Sequence, residues 1–443
     1  MKLKNILSGV ALFAIAGSAM ADVTIELTGA TAFRAAANEG ILTAFAEGGT
    51  LGTTWNYAHS AASGSLNTTN RAVFVGTFPG IDGTTTSKTS WNGSTEGIRA
   101  VALGDVTPAY QPTFLPTGAI TVAGENHSKS GGETAAHPKF SFSDVLQTSS
   151  PVLSPVLEPA DAKVGVVSFS FMANEGAGTT ALTNITPQAF RALFTAGRQR
   201  LWMFTGNPAD TAWVYATGRN DGSGTRTTYL AETGYGISNV VNQYTALTRS
   251  GDTITSIQRV PAGGVNDSDP GTAGIQPYPG QSATNASTLW GNDLDGNGGY
   301  ASSSTNRDDM ARTTASVTVR AANYTSTLQT GAQIYMVCMA SSTDVANARV
   351  GGAKVLSYNG VKLTSLETAL VLDAADIAKI ANGTYTLWSY QQLYYRGTLS
   401  TDEDKFYTKL KTELENSVTT TGNGVPLSAM NVSRSDDGGT VAP

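Results

Sequence analysis

The sequence of 443 residues contains one cysteine, three histidines and 14% charged residues, and each scarcity excludes a class of site. Cys338 cannot form an internal disulfide, and so few thiols and imidazoles do not provide a structural zinc site. The apolar run around Cys338 predicts a strand whose thiol is buried. A reactive thiol is disfavoured, because no basic neighbour is present in the local sequence to lower its pKa. The net charge of -6 argues against nucleic acid as a partner.

Long apolar runs are also lacking, apart from a short one at the N-terminus. Residues 1–21 combine two lysines, an apolar run over 6–16 and a small-x-small site that ends at Ala21, a pattern typical of a cleaved secretory signal peptide. No later stretch reaches the roughly twenty apolar residues of a membrane span. We therefore expect a periplasmic or secreted protein without membrane insertion. Because no cysteine follows Ala21, we expect no N-terminal lipid anchor.

Apolar periodicity predicts an α/β fold. Residues 23–27 alternate like a strand and 33–45 continue as an alanine-rich helix, and a second strand and helix follow at 72–76 and 97–103. The strongly apolar segment 164–171 predicts a buried strand. At this length, two domains are expected.

Capping and periodicity place further elements in the second half of the chain. Thr186 and Pro187 are typical of a helix start, and 213–217 predicts a strand. The aromatic segment 385–395 predicts another strand and 402–414 a helix. From Ser417 onward, abundant threonine, glycine and aspartate predict a tail that is either extended or loosely ordered.

The most informative segment is Arg219-Asn220-Asp221-Gly222-Ser223-Gly224-Thr225-Arg226. Its glycines let the backbone approach a ligand closely, and its hydroxyls precede a helix start whose first N–H groups are unsatisfied. Arg219 can add bidentate hydrogen bonds to a tetrahedral anion. The segment predicts an oxyanion site, and the alternative is an ordinary Asp-Gly turn followed by a helix cap.

Three upstream segments are similar in composition to the octapeptide: Thr28-Gly29-Ala30-Thr31-Ala32-Phe33, Ser90-Trp91-Asn92-Gly93-Ser94-Thr95-Glu96-Gly97 and Phe140-Ser141-Phe142-Ser143-Asp144. Together with the octapeptide, they resemble the four ligand segments of the periplasmic phosphate-binding proteins that serve ABC transporters. The resemblance continues through 184–187 and 382–387, and only the octapeptide is highly specific by itself.

The resemblance implies a two-lobe α/β fold of the type II periplasmic-binding-protein class. Each lobe would be a mixed sheet flanked by helices, with the ligand in the cleft between the lobes. Lobe I would comprise 22–168 plus 388–443, and lobe II 169–387 with a long loop at about 261–308. The implied function is capture of inorganic phosphate, or a similar tetrahedral oxyanion, for delivery to an ABC permease. No enzymatic activity and no cofactor are implied.

The resemblance also implies a set of ligand-binding residues in both lobes. Arg219 would supply the fixed positive charge, and Asp221 would orient it through an ion pair. The residue after Thr225 is commonly a second threonine in the family; here Arg226 either adds charge near the mouth of the site or points to solvent. The ligand-binding residues would be Thr31, Ala32, Phe33, Ser94, Asp144, Arg219, Ser223, Gly224 and Thr225.

Asp144 is the residue expected to decide which anion binds. An ionised carboxylate only accepts hydrogen bonds, so it can bond the P–OH of phosphate but repels sulfate, which has no proton to donate at neutral pH. The alternative is a surface turn or a helix cap after a strand.

Three segments, 76–90, 106–136 and 261–308, are longer than a compact binding protein needs. Such loops line or cap clefts, and they can also carry a partner surface. Within the third, Asp293, Asp295 and Asn297 match an EF-hand calcium loop, but position 12 is Ser304 in place of glutamate. An ordinary polar loop is the alternative to a calcium site.

Two competing functions use the same residues differently. One is a secreted surface or self-assembling structural protein that retains the fold and makes contacts through its long loops. The other is hydrolysis with Ser223 as nucleophile, which the sequence disfavours because Gly222-Ser223-Gly224 lacks the Gly-x-Ser-x-Gly pattern.

Overall fold

The computed structural model describes residues 22–174, 182–260, 298–300, 302–321, 327–422 and 424–443. The strands within these residues are β1 (Val23–Gly29), β2 (Trp55–His59), β3 (Arg71–Phe78), β4 (Ile81–Ser90), β5 (Thr113–Phe114), β6 (Glu125–Asn126), β7 (Thr134–Ala135), β8 (Phe140–Ser143), β9 (Lys163–Ala173), β10 (Asn184–Ile185), β11 (Arg198–Arg200), β12 (Trp213–Ala216), β13 (Tyr244–Ser250), β14 (Thr253–Arg259), β15 (Val317–Arg320), β16 (Thr327–Ala332), β17 (Ile334–Ser341), β18 (Lys354–Val355), β19 (Ser357–Tyr358), β20 (Trp388–Tyr395) and β21 (Gly424–Val425).

The helices flank these strands. They are α1 (Arg34–Glu47), α2 (Ser94–Leu103), α3 (Pro187–Ala196), α4 (Trp202–Thr205), α5 (Gly224–Glu232), α6 (Ser303–Met310), α7 (Ser342–Val350), α8 (Ala374–Ala381) and α9 (Thr401–Thr420). The expectation of a mixed α/β fold is confirmed. In the described part of the chain, no helix is both long enough and apolar enough to span a bilayer.

The main sheet is mixed and runs in the order β11-β12-β17-β9-β20-β8-β1-β4-β3-β2-β6. Strand β1 is parallel to both β4 and β8, and β12 is parallel to β17. Strand β20 is antiparallel to both of its neighbours, β8 and β9. Because β1, β4 and β8 are parallel, their carboxyl ends lie at one edge, which is where Ala30, Trp91 and Asp144 follow.

Strand β9 joins two groups of strands within this sheet: one consists of β20, β8, β1, β4, β3, β2 and β6, and the other of β17, β12 and β11. Its residues from Lys163 to Ser168 pair with β20, and those from Phe169 to Ala173 pair with β17. Nearly all of β9 is buried, which explains its run of apolar and small residues. The division into lobes near residue 168 stays a prediction.

Helix packing completes the core on both sides of β9. Helix α1 packs against α9, and Phe406 of α9 stacks on Phe78 at 4.8 Å between ring centroids. In the other group, Phe190 and Phe194 of α3 stack at 4.1 Å. The Thr186 hydroxyl accepts a hydrogen bond from the Ala189 amide, so the predicted start of α3 is confirmed.

Two expectations about loops are wrong. The tail after Ser417 is not loosely ordered: α9 continues to Thr420, Arg434 is 6% exposed, and Ser433 bridges to Ala442. The predicted loop 261–308 ends in α6, which begins at Ser303 behind the cap Ser302. Its residues 261–297, and with them the calcium candidates Asp293, Asp295 and Asn297, lie outside the described residues. The signal peptide 1–21 does too.

The other long segments take the form of short strands and turns. Residues 76–90 form most of the β3–β4 hairpin, as the glycine- and threonine-rich pattern indicates. Residues 106–136 contain β5, β6 and β7, of which β6 adds to the edge strand β2.

Candidate functional site

The octapeptide forms the link between β12 and α5. Ser223 is the N-cap of α5, and its hydroxyl accepts the amide hydrogen of Arg226 at 3.5 Å. Gly224 is the first helical residue, and it lies against the other group of strands. A β-carbon at position 224 would stand 1.6 Å from Oδ1 of Asp144, so only glycine fits there.

Arg219 is 1% exposed and contacts both groups of strands. Its Nη1 donates to the hydroxyls of Thr31 at 3.2 Å and Ser303 at 2.6 Å, and its Nε donates to the carbonyl oxygen of Tyr300 at 2.9 Å. The two hydroxyls lie 3.1 Å apart. The guanidinium is therefore fixed in the interior at a place where three chain segments meet.

Ser303 is a site residue that the sequence analysis missed. It is the first residue of α6, and Ser302 before it accepts the amide hydrogen of Thr305 at 3.1 Å. A run of hydroxyl residues at 302–305 is a helix-cap signal. That signal indicates where a helix starts, but it carries no information that the start lies beside Arg219.

Asp144 follows β8 and is 1% exposed. Its carboxylate accepts the hydroxyl hydrogen of Ser94 and, at 3.5 Å, that of Thr225, and its amide donates to Ser94 Oγ at 3.3 Å. Burial raises the pKa of Asp144 to about 6, although the Ser94 hydrogen bond and the charge of Arg219 act in the opposite direction. The alternative of a surface turn is wrong.

The start of α2 lies directly on the octapeptide. The Glu96 amide donates to the carbonyl oxygen of Gly222 at 3.4 Å, and the Thr95 hydroxyl donates to that of Asp221 at 3.2 Å. Gly93, the residue before α2, has φ +116°, and a β-carbon there would stand 2.6 Å from the Gly222 carbonyl oxygen. Predicted site residues from the two groups of strands are thus in direct contact.

Asp221 does not orient Arg219, so the expected ion pair is wrong. The Asp221 carboxyl is 1% exposed, and neither of its oxygens has a hydrogen-bond partner within the described ranges. Burial raises its pKa to about 8, opposed first by the charge of Arg226 and reinforced by that of Glu96. The carboxyl is therefore mostly protonated at neutral pH, because it lies inside the protein without a direct partner.

The structure also shows the surroundings of Arg226 and of the turn before α1. Arg226 does not point to solvent: it is 4% exposed, and its Nη1 donates to the carbonyl oxygen of Arg219 at 3.4 Å. The Phe33 amide donates to the carbonyl oxygen of Ala30 at 3.3 Å, within the turn that leads into α1. Ala32 and Thr31 are buried in the same turn.

Four helix starts meet around Arg219 and Asp144. Thr31 lies in the turn before α1, Ser94 begins α2, Gly224 begins α5 and Ser303 begins α6. The unsatisfied N–H groups and the dipole of a helix start both favour negative charge. Together with a buried guanidinium and four hydroxyls, this arrangement is suited to an oxyanion.

The other chemistries considered have less support in this site. Within the part of the chain that the structure describes, no three His, Cys, Asp or Glu side chains are grouped to hold a metal ion. His59 pairs with Glu125 at 2.9 Å, and His137 contacts the carbonyl oxygen of Val101. Neither imidazole contact involves Ser223, and burial raises the pKa of Cys338 far above its usual value.

Solved structures similar to this chain include phosphate ABC transport proteins. An ABC-type phosphate transport receptor from Vibrio cholerae has 11% identity and a TM-score of 0.39, over 91% of this chain and 100% of that one. PstS from Borrelia burgdorferi has 11% identity and a TM-score of 0.36, over 91% and 99%. No protein-family model and no curated protein matches the chain.

Proposed function

We propose that this protein binds inorganic phosphate, or a similar tetrahedral oxyanion, between its two groups of strands. The observation that carries the proposal is Arg219, a buried guanidinium held by the hydroxyls of Thr31 and Ser303 among four helix starts. A guanidinium beside hydroxyls and helix-start N–H groups offers several hydrogen-bond donors to one anionic ligand. The predicted ligand set of Thr31, Ala32, Phe33, Ser94, Asp144, Arg219, Ser223, Gly224 and Thr225 belongs to this proposal.

Phosphate is favoured over sulfate because the site combines donors with one carboxylate. Asp144 lies beside Ser94, Thr225 and Gly224, and with a pKa of about 6 it is ionised at neutral pH. A protonated phosphate oxygen can donate to it, whereas sulfate places like charges in contact.

Binding would bring two lobes together. We propose lobes of 22–168 plus 388–443 and of 169–387, so that the chain passes from one lobe to the other within β9 and returns at the start of β20. The direct contacts of Thr31 with Arg219 and of Glu96 with Gly222 would then belong to the closed form, which a ligand contacting both lobes favours. We further propose that the protein is exported and delivers its ligand to an ABC permease, as a receptor and not as an enzyme.

Isothermal titration of the mature, phosphate-stripped protein tests the proposal. We expect saturable one-to-one binding of phosphate and no heat with sulfate at pH 7.5. Arg219→Gln should weaken phosphate binding by about 2–5 kcal/mol, because the anion loses a buried charged partner. The matched control is Arg396→Gln, since Arg396 pairs with Asp105 near the surface. Silence with phosphate, or equal affinity in Arg219→Gln, contradicts the proposal.

A further inference from the structure

A crevice opens beside the oxyanion site, on the other side of Thr31. It is narrow and lies between the start of α1 and the start of α7. Its lining includes Thr31, Arg34, Asn67, Arg307, Asp344 and Asn347. Thr31 therefore borders both the crevice and the oxyanion site, because its hydroxyl also accepts a hydrogen bond from Arg219.

Arg34 is the unusual residue of this crevice. It is only 5% exposed, and its Nη1 donates to Asn70 Oδ1 at 2.7 Å, which is a neutral acceptor. Over the described ranges of the chain, Arg34 forms no ion pair with a carboxylate. Buried charges in proteins are normally paired, because an isolated ion is costly to remove from water.

Asp344, the carboxylate facing the crevice, offsets the charge of Arg34 only in part. Arg307 Nη2 lies 2.8 Å from the exposed Asp308, and Arg307 Nη1 lies 3.8 Å from Asp344. Asp344 is in turn bonded by the Ser341 hydroxyl at 3.0 Å. Burial lowers the pKa of Arg34, the charge of Asp344 opposes this, and the charges of Arg307 and Arg219 add to it.

We propose that Arg34, with Arg307, forms a second anion subsite joined to the first at Thr31. The preferred ligand then carries two linked anionic groups, as inorganic diphosphate does: Arg219 binds one and Arg34 the other. The starts of α1 and α7 add favourable helix dipoles on the same side. This inference rests on the proposed function, because Arg219 must hold the first group.

Titration with three ligands tests the subsite: phosphate, methylphosphonate, which has a neutral substituent in place of a second anion, and diphosphate. We expect diphosphate to bind about 10- to 100-fold more tightly than phosphate, the effect of one charge-assisted hydrogen bond. Methylphosphonate should not share this advantage. Arg34→Gln, which can still donate to Asn70, should remove the advantage, and the control Arg396→Gln should keep it.

Arg307→Gln provides a second variant if Arg34→Gln does not fold, because Arg307 lies nearer the surface. It should reduce the diphosphate advantage in the same direction. Diphosphate binding no tighter than phosphate, or an advantage that persists in the folded variants, overturns the second subsite. If phosphate binds and diphosphate does not, only this inference fails. If neither ligand binds, the proposed function fails as well.

Discussion

Gly224 lies so close to Asp144 that a β-carbon at position 224 would stand 1.6 Å from the carboxylate oxygen Oδ1. The two residues belong to different groups of strands. Their proximity shows how closely the octapeptide approaches the end of β8. It also brings the start of α5 beside the acidic side chain that is expected to select the ligand.

Gly224→Ala should therefore weaken phosphate binding by at least about tenfold, since the added methyl group displaces α5 from Asp144. Isothermal titration measures the change. Gly118→Ala is the matched control, because nothing lies within 4 Å of a β-carbon there and its backbone is not in the left-handed region. Unchanged affinity in Gly224→Ala would show that this approach is not needed for binding.

Asp144→Asn should bind sulfate, because the amide removes a negative charge and adds a donor. In the unmodified protein, sulfate affinity should rise as pH falls through about 6, where Asp144 becomes protonated and can donate. In Asp144→Asn that rise should disappear. Titration with sulfate at pH 5 and pH 8 measures both effects, and the exposed Asp161→Asn serves as control. A persistent pH dependence in Asp144→Asn would assign selectivity to another group.

Asp221→Asn should stabilise the protein at pH 8. The pKa of Asp221 is about 8 in the folded state, against 3.8 for an ordinary carboxyl, so between about pH 4 and 8 the unfolded chain releases a proton that the folded chain keeps. Stability therefore falls as pH rises through this window.

The pKa of Asp144 lies below the interval from pH 7 to 8, and comparison with Asp221→Asn over this interval assigns the difference between the two proteins to Asp221. Thermal unfolding should show a steeper fall over this interval in the unmodified protein than in Asp221→Asn, with a gain of about 1–3 kcal/mol for the variant at pH 8. Asp161→Asn should follow the unmodified protein. Parallel curves for all three proteins would mean that Asp221 is not protonated in the fold.

Arg434→Met should destabilise the protein by about 3–5 kcal/mol, because it breaks a buried ion pair. Arg434 Nη1 lies 2.9 Å from Glu232, its Nη2 donates to the Thr386 carbonyl oxygen, and its guanidinium stacks 4.1 Å from the Trp388 ring centroid. Urea unfolding measures the loss. Lys405→Met, which breaks a half-exposed pair with Asp402 at 3.0 Å, should cost less than about 1 kcal/mol. Equal losses would mean that the tail does not anchor the fold.

Local chemistry made much of the fold predictable. The cap at Thr186 and the helix that follows depend on hydrogen bonds within four residues, and the apolar run of β9 depends on burial of both faces. The octapeptide likewise leads into a helix capped by Ser223. These features were correctly predicted because neighbouring residues determine them.

Contacts between distant segments were the ones that the sequence did not reveal. Ser303 bonds Arg219 across 84 positions, and Asp437 accepts the Leu146 amide hydrogen across 291. Composition suggested a loose tail after Ser417, but the tail is held by Arg434 and Asp437, which are bound by partners far away in the chain.

The sequence by itself determined the α/β pattern, the helix starts and the arginine-bearing turn, because each follows from hydrogen bonding and apolar periodicity over a few residues. Only the tertiary structure decided that Arg219 meets Thr31 and Ser303. Among the described residues, it also decided that the Asp221 carboxyl accepts no hydrogen bond and that Arg34 is buried without an ion pair to a carboxylate. Those properties depend on packing and on the dielectric environment that burial creates, which no local pattern specifies.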